Sequence, residues 1–440
     1  MIAIIKALQV ILALSILILI HEFGHFFFAK LFGIRVDKFY LFFDAGEFRL
    51  FSTKSRWFLR LCPKAAEWET EYGIGWLPLG GYCKIAGMID ESLDTEQLKS
   101  EPQPWEFRSK PAWQRLFVMA GGVLMNFILA IGIYIGILAG WGERYISNEN
   151  SSIYVNSLAH EMGFRNGDHI IIPENFAMLQ ADLVRNNVSK VTILRQSDTV
   201  DLYIDQSRIG EVLQTPGMFD LALPFTISAV PEGSVNHSLD LQAGDRVICI
   251  GGTDVKFYQD ARPVLEGLAG QLSEISLIRN EDTLKRTVQI DTAGRIGVLL
   301  QQPEIKTREY DLLSAIPAGF KKTFSTIGGY LQDLKLVATP RTEAYKSVGS
   351  FISIGQIFPS YWDWFSFLNI LALLSVMLGV MNLIPIPALD GGHIAFTLYE
   401  ILTGRKPSDK FLMATQIIGM VLIFALMILA FGNDIARFFR

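Results

Sequence analysis

Two histidines and a glutamate near the start of the chain have the residue types and spacing of a hydrolytic metal site. The sequence His21-Glu22-Phe23-Gly24-His25 places two imidazoles four residues apart. On an α-helix these side chains project from one face and fit adjacent corners of a tetrahedral zinc site. Glu22, beside the first histidine, is then placed to act as a general base and not as a ligand.

The apolar setting of this HExxH motif argues against a chance match. Residues 7–20 contain no charged side chain, and an apolar run resumes at residues 26–28. A carboxylate inside a membrane span costs at least roughly 2.5–3.5 kcal/mol, so a span without function is not expected to hold Glu22 between two histidines. A chance motif on a solvent-exposed helix and a buried ion pair with another span are the alternatives.

The composition places the apolar residues in membrane spans and excludes other classes of protein. Of the 440 residues, 50% are apolar and 19% are charged, which excludes an intrinsically disordered chain. The net charge of −5 leaves no basic excess for binding nucleic acid. Cys62, Cys83 and Cys249 are too far apart to form a zinc motif, a redox motif or a disulfide framework.

Four segments are apolar and long enough to cross the roughly 30 Å hydrocarbon core of a bilayer as helices. Lys6 and the apolar run after it could also be a signal peptide, but no small-x-small cleavage site follows. We therefore expect an uncleaved first span. The predicted spans are residues 1–30, 116–141, 364–389 and 411–433.

Basic residues near the span ends predict the orientation of the chain. They cluster after span 1, before span 2 and between spans 3 and 4. By the positive-inside rule, the 31–115 region and the 390–410 loop face the cytoplasm. Both termini and the 142–363 insert then face outward, although Arg437 and Arg440 count against this orientation.

A catalytic zinc site needs a third protein ligand and an open position for water. His160, His169 and His237 lie in the outer insert, on the wrong side of the membrane. Asp390 directly follows span 3, which runs in the same direction as span 1, so the C-terminal ends of both spans share one side. Asp390 is therefore the predicted third ligand. His393 would close the water position as a fourth ligand, so it is predicted to support the site without binding the metal.

The segment before Asp390 is expected to break the helix and shape the site. Pro385 and Pro387 stop a helix, and Gly391 with its neighbour Gly392 allows a tight turn. Non-helical backbone at membrane depth is tolerated only where it lines a cavity or is buried in protein.

The outer insert contains an internal repeat. Its Gly-Asp pair at 167–168 recurs 77 residues later at 244–245, and residues 193–199 are echoed by residues 277–283. Two echoes in the same order favour two copies of one module over a coincidence of common Gly-Asp turns. The second echo predicts a strand that enters a turn. Residues 181–184 and 263–268 are each expected to supply a short helix.

Residues 310–355 carry apolar side chains at helical spacing, among them Phe320, Phe324, Ile327 and Leu331. The pattern predicts amphipathic helices that lie on the outer membrane surface within residues 306–360. An ordinary packed helix is an equally good interpretation.

Together these motifs resemble the site-2 protease family of intramembrane zinc metalloproteases, in its bacterial RseP (regulator of sigma-E protease) branch. The resemblance rests on HEFGH at 21–25, on Asn-x-x-Pro-x-Pro-x-Leu-Asp-Gly at 382–391 and on Pro-Leu-Gly-Gly-Tyr at 78–82. It covers nearly the whole chain. It implies an α-helical membrane protein with four transmembrane helices, a membrane re-entrant β-hairpin, and a tandem PDZ insert between helices 2 and 3.

The resemblance also implies a role for each motif residue. His21, His25 and Asp390 would bind Zn²⁺, and Glu22 would be catalytic. Asn382 would donate a hydrogen bond to the substrate backbone or to the developing oxyanion.

The remaining implications concern substrate. The 75–87 segment would form the re-entrant hairpin and pair with substrate, although an ordinary interfacial loop is the alternative. Its residues expected to bind substrate are Gly80, Gly81 and Tyr82. The modules at 142–222 and 223–305 would be PDZ domains that exclude substrates with a bulky outer domain. The implied partners are single-span proteins of the bacterial inner membrane, such as anti-sigma factors and remnant signal peptides, and the lipid bilayer.

Two features depart from the family pattern. The second span keeps Gly121, Gly122 and Asn126, but the proline of the family's Gly-Pro-x-x-Asn motif is missing. We expect close helix approach and an interhelical hydrogen bond here but no direct role for Asn126. Pro173 interrupts the strand after the first Gly-Asp pair, so the peptide groove of the first module is expected to be incomplete.

Three other functions are less consistent with the sequence. A membrane-anchored zinc protease for soluble proteins would carry its HExxH motif outside the apolar run. A PDZ scaffold with a decayed metal site would not retain all four residues of the predicted centre. A transporter would show an inverted repeat among its spans.

Overall fold

The computed structural model describes residues 2–78, 80–88, 101–146, 151–172, 179–185, 188–215, 217–303 and 305–438. The chain forms two compact units. The membrane unit comprises residues 1–142, 309–338 and 345–440, and the inserted unit comprises residues 143–308 and 339–344.

Long helices dominate the membrane unit, and short strands dominate the inserted unit. The helices are α1 (Ile2–Leu31), α2 (Arg56–Leu61), α3 (Ala112–Trp141), α4 (Ser157–Glu161), α5 (Leu179–Arg185), α6 (Ile209–Gln214), α7 (Tyr258–Gly267), α8 (Leu312–Val337), α9 (Phe351–Ile357), α10 (Trp364–Leu383), α11 (Asp390–Thr403) and α12 (Asp409–Phe438). The strands are β1 (Val36–Leu41), β2 (Arg49–Ser52), β3 (Glu71–Gly75), β4 (Tyr82–Ile85), β5 (Glu143–Ile146), β6 (Ile153–Val155), β7 (His169–Ile172), β8 (Lys190–Arg195), β9 (Asp198–Tyr203), β10 (Phe219–Leu221), β11 (Ile227–Ala229), β12 (Arg246–Ile250), β13 (Thr253–Asp254), β14 (Leu272–Arg279), β15 (Asp282–Gln289), β16 (Leu299–Leu300) and β17 (Ile305–Arg308).

Four helices of the described residues, α1, α3, α10 and α12, are long and apolar enough to cross a membrane, as predicted. The third ends at Leu383 and not at residue 389, because Pro385 disfavours helical backbone at the residue before it. Asp390 starts α11, so most of the expected 390–410 loop is helical.

Glycines bring α1 and α3 into close contact at the HExxH motif. A Cβ atom at Gly24 would lie 2.2 Å from the carbonyl oxygen of Gly121. A Cβ atom at Gly122 would lie 2.6 Å from the imidazole atoms His21 Cε1 and His25 Nε2. No side chain fits between the helices at these positions, so the expected close approach is confirmed.

A four-stranded sheet in the order β2-β3-β1-β4 packs beside α1. β1 pairs in parallel with β3 and antiparallel with β4, so β3 and β4 flank it and do not pair with each other. The prediction of a hairpin over residues 75–87 is therefore wrong. The chain between β3 and β4 crosses over β1 and does not turn back directly, and Leu77 forms a bridge to Phe43. Leu79 lies outside the described residues.

The inserted unit shows the same local features at both copies of the predicted repeat. In each module a glycine with positive φ, 91° in the first and 93° in the second, precedes a buried aspartate that receives two guanidinium hydrogen bonds. The hairpins β8–β9 and β14–β15 form at the second echo, and α5 and α7 supply the expected short helices. The buried pairs are Asp168 with Arg195 and Asp245 with Arg279. Pro173 lies outside the described residues.

The amphipathic helix α8 is buried along one face against α3 and α10. A Cβ atom at Gly319 would lie 2.5 Å from Ile135, and Ile327 packs on the cluster that contains Ala130 and Val380. These contacts favour the packed-helix interpretation of the 310–355 pattern over a helix on the membrane surface.

Replacing Gly121 by alanine is expected to lower the thermal unfolding midpoint of the protein in detergent. The new Cβ would lie 2.5 Å from the carbonyl oxygen of Gly24, and overpacking of this kind typically costs about 1–3 kcal/mol. Gly132→Ala is the matched control, because it lies in the same helix with no atom within 4 Å of its Cβ. The control should be neutral or stabilising, since alanine favours helices by about 1 kcal/mol over glycine. Equal midpoints for the two variants would contradict the packing argument.

Candidate metal centre

Three potential metal-ligand atoms converge inside the membrane unit. His21 and His25 lie four residues apart on α1, and Asp390 is the first residue of α11. Their imidazole Nε2 atoms lie 3.4 Å apart, and each lies 3.3 Å from Asp390 Oδ2. The structure thus brings Asp390 to two histidines that precede it in the sequence by 369 and 365 residues.

This triangle has the dimensions of a zinc site. Ligands at 2.0–2.1 Å from a tetrahedral zinc ion lie roughly 3.3–3.4 Å from one another, which matches the three observed separations. Asp390 Oδ2 is buried and receives no hydrogen bond from the described residues. With both imidazoles unprotonated at Nε2, the three atoms are all acceptors, and a bound cation would neutralise their mutual repulsion, so the residues fit zinc.

The two histidines are oriented by groups on α3. His25 Nδ1 donates a hydrogen bond of 2.8 Å to the carbonyl oxygen of Val118, which leaves Nε2 free to bind a metal. His21 Nδ1 lies 3.1 Å from the side-chain amide nitrogen of Asn126. Asn126 Oδ1 is buried and has no hydrogen-bond partner among the described residues, so rotating the amide would let Oδ1 accept from the Nδ1–H of His21.

Asp390 is held by an irregular turn that packs on α12. Ala388 has a φ of +79°, which is unfavourable for a residue with a Cβ atom. Its backbone N–H donates to Gln416 Oε1 on α12 at 3.1 Å. A Cβ atom at Gly419, one helical turn further on, would lie 1.6 Å from the carbonyl oxygen of Pro387. These contacts fix the backbone that leads into Asp390.

The other residues of the 382–391 motif also surround the triangle. Asn382 Nδ2 lies 3.4 Å from His21 Nε2. Pro385 and Pro387 occupy the break between α10 and α11. A Cβ atom at Gly391 would lie 2.1 Å from the carbonyl oxygen of Ile384, so only glycine fits there.

Glu22 faces the edge of the sheet. Glu22 and Cys83 of β4 line the same cavity. A Cβ atom at Gly81 would lie 3.6 Å from Glu22 Cγ and 2.6 Å from Ile18 Cγ2. The chain that enters strand β4 therefore passes beside Glu22, in the second half of α1.

A cavity of about 560 Å³ opens at this point, within the roughly 300–1,000 Å³ typical of ligand sites. Its walls contain all four residues of the predicted centre together with Asn382, Gly81, Tyr82 and His393. Tyr82 directs its hydroxyl to Asp44 Oδ1 at 3.0 Å. Gly80 lies outside the wall and packs against the ring of Phe43.

Sequence reasoning missed two polar residues of the site. It expected an interhelical hydrogen bond at Asn126 but no role for this residue in the site, because the family motif around it is altered, and it gave no attention to Gln416. Both side chains are fully or almost fully buried, at 0% and 5% exposure, within helices that otherwise face lipid or apolar neighbours. A buried amide in a predicted span was the available signal, since such groups need a partner.

Comparison with known proteins identifies the family. Residues 9–426 match the model of Peptidase family M50. The regulator of sigma-E protease RseP of Salmonella typhimurium is 30% identical over 462 residues, which cover 97% of each chain. Relatives from Clostridium perfringens (28% over 436 residues, 97% of each chain) and Neisseria meningitidis (26% over 465 residues, 98% of each chain) carry the name of a zinc metalloprotease.

The fold and the site define a membrane-embedded metallopeptidase of the site-2 type, whose cofactor is zinc. The chain belongs to Peptidase family M50.

Replacing Gln416 by methionine is expected to lower zinc affinity roughly 10-fold or more, the usual effect of removing a group that orients a ligand. The N–H of Ala388 would lose its acceptor, and the turn with positive φ would relax and displace Asp390. The measurement is the rate of zinc loss from the purified protein to a chelator. Ala388→Gly in the same variant should restore part of the affinity, because glycine adopts positive φ without strain.

Thr415→Val is the matched control, since the hydroxyl of this half-buried neighbour bonds only to its own helix. Zinc loss at the wild-type rate in the Gln416 variant would show that α12 does not hold the turn.

Proposed function

We propose that this protein hydrolyses peptide bonds within the transmembrane segments of single-span substrates that have already been trimmed. In this proposal His21, His25 and Asp390 hold the zinc ion, and Glu22 is the catalytic residue. One observation carries the proposal: two of the three residues of the triangle, His21 and His25, lie within α1, a helix long and apolar enough to cross a membrane. His21 is ten residues before the end of α1 at Leu31, which is about 15 Å along the helix axis.

Zinc held by His21, His25 and Asp390 would supply Lewis acidity for activating water and for polarising the scissile carbonyl group. Glu22 accepts a proton from the attacking water and later delivers it to the leaving amine. Val118 and Asn126 keep both imidazole rings oriented, and the tight fit of Gly122 against these rings excludes other groups from that side.

Substrate must unwind before it is attacked, because the peptide groups of a transmembrane helix are already hydrogen-bonded to one another. Strand β4 is an edge strand, and its free edge faces the cavity. An extended substrate segment adds to this edge by β-pairing beside Gly80, Gly81 and Tyr82. Asn382 donates a hydrogen bond to the substrate backbone or to the developing oxyanion.

The substrate classes are anti-sigma factors and remnant signal peptides. A relative named regulator of sigma-E protease supports the first class. The two modules of the inserted unit are PDZ domains that act as a size filter against untrimmed substrates. The protein lies in the bacterial inner membrane, with its termini and PDZ domains on the periplasmic side and the metal centre towards the cytoplasm.

Glu22→Gln is expected to abolish cleavage of a test transmembrane peptide in detergent and to leave the zinc content unchanged. The amide keeps the size of the side chain but cannot accept the proton of water. Asp390→Asn is the comparison variant, and it should lose zinc as well as activity. Cleavage by Glu22→Gln at the wild-type rate would refute the assignment of the base, and full zinc content in Asp390→Asn would remove Asp390 from the metal ligands.

Excision of residues 147–304 is expected to leave cleavage of a trimmed substrate intact and to permit cleavage of an untrimmed one. The excision ends at Ile146 and Ile305 because these residues pair between strands β5 and β17. A two-residue Asn-Gly turn inserted in place of the excised residues can join the paired strands. Both substrates are compared with wild-type protein in nanodiscs. The same excision combined with Glu22→Gln controls for contaminating proteases. Continued resistance of the untrimmed substrate would contradict the size filter.

A further inference from the structure

An exposed apolar surface lies on the far side of the sheet from the metal centre. Strand β2 and helix α2 leave four large apolar side chains open: Phe48 (62% exposed), Leu50 (63%), Trp57 (52%) and Leu61 (75%). Trp57 and Leu61 are four residues apart and share one face of α2. We call residues 48–64 the interfacial segment. So large an apolar surface marks a site of association.

The apolar side chains are interleaved with positive charge. Residues 48–66 include five basic side chains and no acidic one. Arg49 pairs with Glu71, and Lys54 donates to backbone carbonyl groups. Arg56, Arg60 and Lys64 are exposed and form no ion pair within the described part of the chain. Aromatic rings mixed with unpaired basic groups are typical of surfaces that lie at the boundary of an anionic bilayer.

Ring contacts connect the interfacial segment to the C-terminal end of span α1. The ring centroids of Phe58 in α2 and Trp68 are 6.4 Å apart, and those of Trp68 and Tyr72 are 6.1 Å apart. Tyr72 lies 6.0 Å from Phe26 in the last turns of α1. The segment is therefore close to the level at which α1 leaves the hydrocarbon core.

An ion pair also connects the chain beside the interfacial segment to the C-terminal end of α1. Lys30, in the last turn of α1, pairs with Glu69, directly after Trp68. At the opposite edge of the same sheet, Gly81, the residue before β4, lies against Ile18 and Glu22 of α1, which are 13 and 9 residues before the end of that helix. The sheet thus begins at membrane depth and ends at the interfacial segment.

We propose that the interfacial segment docks into the bilayer surface at the C-terminal end of α1, with its apolar side chains among the acyl chains and with Arg56, Arg60 and Lys64 on anionic phospholipid headgroups. A protein partner is disfavoured because unpaired cations surround the apolar groups on a segment already held beside lipid. Docking at this edge sets the depth of the opposite edge, where β4 meets Glu22. The proposal requires only that α1 crosses a bilayer, and it does not depend on the proposed substrate or reaction.

The test is photo-cross-linking of the full-length protein in nanodiscs of mixed phosphatidylcholine and phosphatidylglycerol. Leu61 is replaced by p-benzoylphenylalanine, and adducts are identified by mass spectrometry. The matched control carries the same probe at Leu272, a leucine of the inserted unit that is 67% exposed. We expect lipid adducts at position 61 and none at position 272. Thermal unfolding midpoints close to wild type establish that both labelled proteins are folded.

The lipid composition of the adducts tests the charged half of the proposal. Each basic residue near an anionic surface contributes ~1 kcal/mol, which is about a fivefold preference, so phosphatidylglycerol should be enriched several-fold in the adducts over its share of the nanodisc. Arg56→Gln combined with Arg60→Gln should return the adducts towards the bulk ratio. Absence of lipid adducts at position 61, or cross-links to protein in native membranes instead, would overturn the proposal. Adducts at the bulk lipid ratio in the unsubstituted segment would overturn the headgroup contacts.

Discussion

This structure depends on one constraint: two imidazole nitrogens and one carboxylate oxygen lie close together within an apolar assembly of helices. Two imidazole nitrogens and a carboxylate oxygen lie 3.3–3.4 Å apart, and the oxygen has no hydrogen-bond donor among the described residues. Such an arrangement is unfavourable without a cation, because burial removes the water that would otherwise solvate these atoms. A zinc ion turns the same geometry into a stable site, so metal binding and the packing of the helices are expected to stabilise each other.

The neighbouring helices carry the groups that hold this geometry. The α3 helix approaches α1 closely enough for a backbone carbonyl and a buried amide to orient the two imidazoles, and glycines make that approach possible. The α12 helix supports the turn before Asp390 through a single amide and a glycine contact. A site assembled from four helices is sensitive to any change in their spacing, which explains why small residues occur where helices cross at the centre.

The sheet extends this design from the metal centre to the end of α1. One edge strand lies beside Glu22, and three strand widths away the chain exposes aromatic and basic residues. In the inserted unit, both copies of the predicted repeat have the same glycine conformation and the same buried aspartate–arginine pair. In the second module burial alone would raise the pKa of Asp245, but hydrogen bonds from Arg279 and from the backbone of Gln242 lower it, so the carboxylate stays charged.

The sequence by itself determined the four apolar helices and the convergence of His21, His25 and Asp390. The length of the apolar segments predicts the helices, the four-residue spacing puts the two histidines on one helix face, and the shared direction of the first and third spans brings Asp390 to the same level. It did not determine the strand order, in which β1 lies between β3 and β4 where a hairpin was predicted. It also did not determine the burial of α8 against α3. It also missed Asn126 and Gln416, whose partners lie 105 and 28 residues away. Only the tertiary structure decided these features, since an amide or a strand edge has no preferred partner until packing brings one within hydrogen-bonding distance.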